Sequence, residues 1–134
     1  MKIHAIFSKT AREVHAYDEG AALNKVLFHK QGRALLKVIS NDLNLENCTI
    51  SSNMGGIAVS GEITLHAEHL YLQVNFGFSG ECARILYRSC KGKKDYSGGK
   101  NHYIDVCDLS DADRRIVFYA KCRALIEETE LVAA

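Results

Sequence analysis

The sequence predicts an α+β fold, in which an antiparallel β-sheet is packed on one face by two main helices. Residues that favour β-strands concentrate between about residues 48 and 106, and glycine- and asparagine-containing turn signals separate them. Stripes of apolar residues at helical spacing precede and follow this region. Strands grouped between helices are typical of an antiparallel sheet with one dry face.

The length of the chain predicts a single domain that spans residues 1–134. A domain of this size can bury a core without the help of a metal ion or a disulfide. Hydrophobic residues make up 47% and charged residues 25%, which excludes an intrinsically disordered chain. The first residues lack the apolar run of a signal peptide, and no run reaches the roughly 20 residues of a membrane span. We therefore expect a soluble, cytoplasmic protein with no membrane contact.

The cysteines favour free thiols. Their number is odd and no CxxC pair occurs, since they stand at Cys48, Cys82, Cys90, Cys107 and Cys122. A zinc site needs close ligand pairs, and a secreted disulfide scaffold needs a dense, even set. The pattern therefore predicts a reducing compartment and neither a structural metal nor a cofactor.

The first third of the chain predicts a strand and a long helix. Residues 2–8 alternate polar and apolar side chains, which indicates a short strand. Asp18 is a candidate N-cap for a helix over residues 18–43, either one helix bent near Gly32 or two helices. Asn44 marks its end.

The middle of the chain predicts antiparallel strands. Residues 57–65 and 70–78 form the arms of one hairpin, with a turn between them. Residues 83–89 and 103–106 form another antiparallel pair, joined by the loop 91–101. We expect all of these strands to belong to one sheet.

The last element is predicted to be a helix over residues 111–128. Ser110 is the expected N-cap, and two aspartates follow it in the first turn. Seven side chains are expected to form its core face: Ile116, Val117, Tyr119, Ala120, Ala124, Leu125 and Ile126. This helix and the 18–43 helix should pack together on the same face of the sheet.

Positive charge is concentrated in one segment of a nearly neutral chain. The formal net charge is +1, but residues 84–100 carry six cations and one anion. This segment therefore has a net charge of +5, which leaves −4 on the remainder. The average charge excludes a strongly basic nucleic-acid binder, whereas the local excess points to one basic surface.

This basic segment is the candidate binding surface. Its residues combine cations that suit anions with aromatic rings that stack on bases: Arg84, Arg88, Lys91, Lys93, Lys94, Tyr96, Lys100, His102 and Tyr103. It is not a phosphate-binding P-loop, because Gly99-Lys100 is followed by Asn101 rather than by serine or threonine. A solvated loop without a ligand is the alternative.

Catalytic and metal-binding patterns are sparse. Cys90 lies among cations that favour its thiolate, and His102 and Asp105 follow on the next predicted strand, so they are weak candidates for a catalytic site. The segment 66–69 (His-Ala-Glu-His) has two histidines at a spacing too short for a helical metal motif. The segment 75–78 (Asn-Phe-Gly-Phe) lacks the basic residue of an RNA-recognition strand.

Residues 85–102 resemble a motif in small proteins of phages and mobile elements. The likeness covers Ile85-Leu86-Tyr87-Arg88-Ser89-Cys90 and the glycine- and lysine-rich residues that follow, up to His102. It implies a host-takeover or anti-defence role, in which a small protein binds and blocks a larger machine.

These patterns rank three hypotheses for the function. The first is a small binding protein, such as an inhibitor, that docks on a protein or nucleoprotein through the basic loop. The second is a nucleic-acid or nucleotide binder that uses the same loop, and the third is a small cysteine-dependent enzyme. The sequence decides neither enzymatic activity nor oligomeric state.

Overall fold

Five antiparallel strands form one sheet, and helices precede and follow it. The structure is a computed structural model that describes residues 3–13, 21–54, 61–75, 82–92 and 99–133. Within these ranges the elements are α1 (Ile3–Glu13), α2 (Ala21–Asp42), β1 (Thr49–Asn53), β2 (Glu62–His66), β3 (Leu70–Asn75), β4 (Arg84–Ser89), β5 (His102–Asp105), a 3-10 helix (Val106–Ser110) and α3 (Ala112–Ala133). The strands lie side by side in chain order, and every neighbouring pair is antiparallel. The predicted α+β fold is confirmed.

The predicted strand at residues 2–8 is wrong, because this segment belongs to helix α1. The alternation covers only a few residues, and the same apolar positions also satisfy helical spacing. Ile3 and Phe7 are four residues apart, so they share one side of a helix. Phe7 is fully buried and its ring lies 5.1 Å from that of Phe28 in α2. Packing against α2 therefore decides the conformation.

Helix α2 is one helix, and Gly32 lies inside it rather than between two helices. A Cβ atom at Gly32 would lie 2.7 Å from Cδ1 of Ile63 in β2. The glycine thus allows the helix to approach the sheet closely. Asn44 has a φ of 53°, in the left-handed region, and ends the helical path as predicted. The expected cap at Asp18 lies outside the described residues.

The strands place apolar side chains on one face of the sheet. Leu65 in β2 is opposite Leu72 in β3, which is opposite Tyr87 in β4. By the same register this face includes seven buried residues: Ile63, Leu65, Leu70, Leu72, Val74, Ile85 and Tyr87. The predicted arms 57–65 and 70–78 are described only in part, as β2 and β3, and the predicted turn lies between them.

Both long helices pack on this apolar face, as predicted. Helix α2 contacts it through Gly32 and Ile63. Helix α3 contacts it through Phe118, whose ring meets Tyr87 edge-on at 5.0 Å. The two helices also meet each other, since the Tyr119 hydroxyl of α3 donates a 2.7 Å hydrogen bond to Oδ2 of Asp42.

A disulfide closes the base of the β4–β5 hairpin. Arg84 lies opposite Asp105, and the Val106 N–H donates a 2.9 Å hydrogen bond to the Ala83 carbonyl. The next pair in this register is Cys82 and Cys107, and these two cysteines are bonded.

The prediction of five free thiols is therefore wrong for Cys82 and Cys107. These cysteines are 25 residues apart in sequence, and only the hairpin register brings them together. Spacing rules for zinc sites and secreted scaffolds do not detect such a pair. Cys48, Cys90 and Cys122 are free.

The N-cap of α3 is Asp111 rather than the predicted Ser110. One carboxylate oxygen of Asp111 accepts hydrogen bonds from the backbone N–H groups of Asp113 and Arg114, at 2.9 and 3.2 Å. The Ser110 hydroxyl instead donates to the Cys107 carbonyl at 2.8 Å. Because the 3-10 helix includes Ser110, α3 begins at Ala112, one residue later than predicted.

The core face of α3 also differs from the prediction. Phe118 and Cys122 are buried, and Leu125 continues their stripe at helical spacing. Ile116 and Val117 lie about 200° and 100° around the helix from Phe118, and they are 64% and 52% exposed. Ala120 and Ala124 are also exposed, whereas Tyr119 is buried and Ile126 partly buried.

Neither α3 nor any other helix in the described ranges is both long and apolar enough to cross a membrane.

We expect the disulfide to stabilise the fold without being required for it. Replacing both Cys82 and Cys107 with serine should lower the free energy of unfolding by about 3 kcal/mol. The reason is that the bond joins residues 25 positions apart and so closes a loop in the unfolded chain. Urea unfolding under non-reducing conditions measures the change, and Cys48→Ser is the control with little expected effect. Five alkylatable thiols in the denatured but unreduced protein would show that the bond does not form.

Candidate functional site

A groove runs along the free edge of β5, and we call it the edge groove. Strand β5 is the last strand of the sheet in the described part of the chain, so one of its sides faces no other strand. The groove has a volume of about 530 Å³. This volume falls within the roughly 300–1,000 Å³ of typical ligand pockets. Strands β4 and β5 form one wall and helix α3 forms the other.

The strand wall presents an aromatic ring, a cation and an anion. Tyr103 is 50% exposed, and the guanidinium of Arg84 lies 4.9 Å from the centroid of its ring. This cation–π contact orients both side chains. Asp105 lies opposite Arg84 in the register and also lines the groove. The wall therefore has polar groups of both signs beside an apolar ring.

The helix wall has three groove-lining residues spaced four apart: Asp113, Val117 and Lys121. Val117 is an exposed apolar side chain between an acidic and a basic one. Arg114 also lines the groove and forms an ion pair with Asp108 of the 3-10 helix. This pair connects the start of α3 to the segment that follows β5.

The floor of the groove is apolar. It is formed by Tyr87 and Phe118, with Ile104 beside them. Burial, and to a lesser degree the nearby Cys122, raises the pKa of the Tyr87 hydroxyl. Burial also raises the pKa of the Cys122 thiol to about 12, so this thiol stays protonated at neutral pH. No negative charge develops under the groove, and the floor favours an apolar ligand group.

The predicted basic surface is divided between the two faces of the sheet. Arg84 and Arg88 lie on the face away from the helices, because they alternate with Ile85 and Tyr87. His102 lies on the helix side, where its ring stacks on Tyr87 at 5.2 Å. Lys91 and Lys100 are exposed near the end of the hairpin. Lys93, Lys94 and Tyr96 lie outside the described residues.

The face of the sheet away from the helices has a row of polar side chains along β3. The Tyr71 hydroxyl donates to Oε1 of Gln73 at 2.6 Å, and Nε2 of Gln73 donates to Oδ1 of Asn75 at 2.8 Å. Arg88 on the neighbouring strand donates to Oδ1 of Asn101 at 2.9 Å. These bonds hold the side chains in place, so this face is polar but already hydrogen-bonded within itself.

The three weak catalytic candidates do not come together. Cys90 is 2% exposed, and its Sγ lies 3.7 and 3.6 Å from the carbonyl oxygens of Ala67 and Glu68. His102 and Asp105 pair with positions three and six residues before Cys90 on β4. At about 3.3 Å per residue these separations are about 10 and 20 Å. The register thus offers no Cys–His–Asp site.

The 66–69 segment forms the turn between β2 and β3 rather than a metal motif. The ring of His66 lies 4.6 Å from that of Tyr71 in a tilted arrangement, and Nε2 of His69 lies 3.7 Å from Oε1 of Glu68. Within the described ranges, no three histidine, cysteine, aspartate or glutamate side chains are grouped to hold a metal ion. Of the Asn-Phe-Gly-Phe segment, only Asn75 is described, as the last residue of β3.

Sequence reasoning found part of the strand wall but missed the helix wall. Arg84 and Tyr103 were identified from charge and aromatic content. Val117 was assigned to the core, and Asp113 was considered only as a first-turn acid. The missed signal is that Phe118 and Cys122 define the buried stripe of α3, which leaves Val117 and Lys121 on its flank.

Comparison of the chain with protein-family models, with curated proteins and with solved structures finds no match.

We expect the free thiols to react with an alkylating reagent in the order of their exposure. Cys48 is half-buried, whereas Cys90 and Cys122 are buried. In the native protein Cys48 should react first, and the other two about tenfold or more slowly, because they require local opening. Peptide mapping by mass spectrometry after timed exposure to iodoacetamide measures the order. Faster modification of Cys90 than of Cys48 would support the cysteine-dependent enzyme.

Proposed function

We propose that this chain is a binding protein that docks on a larger protein or nucleoprotein through the edge groove and the neighbouring β4–β5 hairpin. Binding of this kind requires a shaped, partly apolar surface rather than catalytic residues. The register that separates Cys90 from His102 and Asp105 supports this proposal over a cysteine-dependent enzyme.

The observation that carries the proposal is the exposure of apolar side chains at the free edge of the sheet. Val117 on α3 and Tyr103 on β5 are each about half exposed and both line the groove, with Tyr103 on the same face of the sheet as Arg84. Exposed apolar groups that converge on a concave site with charged surroundings mark contact surfaces. Charges of both signs surround them, and such a mixed pattern suits a protein partner better than a uniformly anionic one.

The role of an inhibitor is part of the same proposal. The resemblance of residues 85–102 to small phage and mobile-element proteins supports a partner that belongs to a larger machine. The β4–β5 hairpin contains these residues and also forms the strand wall of the groove. A small protein anchored at the groove would block such a machine by occupying its surface.

A nucleic-acid or nucleotide ligand is the second candidate. It is favoured by the cations Arg84, Arg88, Lys91 and Lys100, which all belong to one hairpin, next to the exposed ring of Tyr103. Such a surface suits phosphates and a stacked base. Asp105 beside Arg84 and the nearly neutral chain reduce its attraction for a polyanion.

A single charged side chain in the groove should abolish docking. We expect Val117→Asp to remove partner proteins that the wild-type chain captures from a lysate of the cells that express it, because an aspartate must lose its hydration to enter an apolar contact. Ile116→Asp is the matched control, since Ile116 is also exposed on α3 but does not line the groove. Quantitative mass spectrometry after nuclease treatment measures capture. Equal capture by both variants and the wild type would contradict docking at the groove.

Removing the hairpin lysines tests the second candidate. Alanine at Lys91, Lys93, Lys94 and Lys100 should leave the melting temperature nearly unchanged, because Lys91 and Lys100 are exposed and surface lysines contribute little to folding. If nucleic acid is the ligand, the quadruple variant should also bind fluorescent oligonucleotides more weakly and with a flatter salt dependence. Anisotropy titrations between 50 and 200 mM salt measure this. Under the leading proposal, the wild-type chain shows only weak, salt-sensitive binding to any oligonucleotide.

A further inference from the structure

We propose that the edge groove binds an extended peptide segment of the partner, which adds to the sheet as a sixth strand beside β5. This inference rests on the proposed function and specifies the chemistry of the contact. The peptide presents a basic, an aliphatic and an acidic residue at alternating positions, so that these side chains meet Asp113, Val117 and Lys121 of α3.

The backbone of β5 has hydrogen-bonding groups that point away from β4. The bond from the Val106 N–H to the Ala83 carbonyl identifies that pair as hydrogen-bonded, and such pairs alternate along an antiparallel ladder. Ile104 therefore bonds to β4, whereas the N–H and C=O of Tyr103 and the N–H of Asp105 face the groove. An added strand satisfies these groups, as in other cases of strand addition at a sheet edge.

The side chains on α3 recur at the repeat distance of a strand. Asp113, Val117 and Lys121 are four residues apart, which is about 6 Å along the helix axis. Side chains on one face of a strand recur every two residues, or about 6.6 Å. Three successive helix-facing side chains of an added strand thus meet an acid, an apolar group and a base in turn.

The charges along the groove set the order of residues in the peptide. Asp113 and Asp105 line the groove near the 3-10 helix, where Arg114 is already paired with Asp108. Lys121 lies toward the other end, beyond Phe118 and its contact with Tyr87. The basic residue of the peptide therefore lies at the Asp113 end and the acidic residue at the Lys121 end, with the aliphatic one at Val117.

A second copy of this chain fits the groove less well than a peptide does. Strand β5 has four residues and is followed at once by the 3-10 helix. If two copies paired about a two-fold axis at Ile104, the flanking helix-side residues would be His102 and Val106. Val106 is fully buried in its own chain, and neither residue is an acid that would pair with Lys121.

Selection from a peptide library tests the sequence pattern. A random dodecapeptide library displayed on phage is selected against the immobilised full chain. We expect enrichment of a basic, an aliphatic and an acidic residue at every second position, in one order along the peptide. Binding of the labelled consensus peptide is then measured by fluorescence anisotropy.

A proline at Asp105 tests the backbone contact. The φ of Asp105 is −70°, which proline adopts, and its N–H points into the groove rather than toward β4. Asp105→Pro should bind the consensus peptide about tenfold more weakly than Asp105→Ala, which removes the same charge but keeps the N–H. Thermal unfolding followed by circular dichroism confirms that both variants are folded. Equal affinity of the two folded variants would overturn strand addition.

A charge exchange tests the side-chain contact. Lys121→Glu should weaken binding of the consensus peptide about tenfold. The same variant should bind a peptide whose acidic residue is replaced by lysine. Glu128→Lys is the control, since Glu128 is an exposed charge on α3 that does not line the groove. Failure of the exchanged peptide to bind Lys121→Glu would overturn the assigned order.

The outcomes separate this inference from the proposed function. If no peptide is enriched but Val117→Asp still prevents partner capture, strand addition is wrong and docking of a folded surface remains. If neither peptide binding nor groove-dependent capture occurs, both proposals fall. A dimer in sedimentation velocity that Asp105→Pro dissociates would assign the groove to a second copy and overturn the peptide.

Discussion

The apolar face of the sheet is wider than the two helices that cover it. Packed helices lie 8–10 Å apart, and neighbouring strands lie about 4.8 Å apart, so two helices cover about four strands. Helix α2 packs on β1 and β2, and α3 packs on β3 and β4. Strand β5 is left at the flank of α3. The edge groove therefore follows from the different widths of helices and strands. Its floor is the outer end of the same apolar face that forms the core.

The charge pattern of the groove also follows from how its elements begin. Aspartates favour the first turn of a helix because its N–H groups carry partial positive charge. Asp111 caps α3 and Asp113 lies in its first turn, which places negative charge at one end of the helix wall. Lys121 lies two turns later. Helix polarity thus accounts for the acidic end of the helix wall, and Lys121 makes the other end basic. Such an order of charges gives selectivity for a partner more than raw affinity.

A repeat of apolar residues was enough to locate a helix or a hairpin where the repeat was long and fitted one kind of secondary structure. The positions of α2 and of the β4–β5 hairpin were located in this way, although the pattern left open whether α2 is one helix or two. Residues 2–8 were not, because a short alternation is compatible with strand and helix until Phe7 meets Phe28. In α3 the apolar residues outnumber the positions that the sheet can cover, so Ile116 and Val117 were assigned to the core. The Cys82–Cys107 pair required a register, which no local pattern supplies.

The disulfide and the Arg114–Asp108 pair connect the two walls of the groove through the 3-10 helix. Cys82 lies two residues before Arg84 of the strand wall, and Cys107 directly precedes Asp108. Asp108 in turn holds Arg114 at the start of the helix wall. Covalent and ionic links thus connect one wall to the other through the 3-10 helix. Links of this kind reduce the conformational freedom that the groove loses when a ligand enters, and such preorganisation raises affinity without additional contacts.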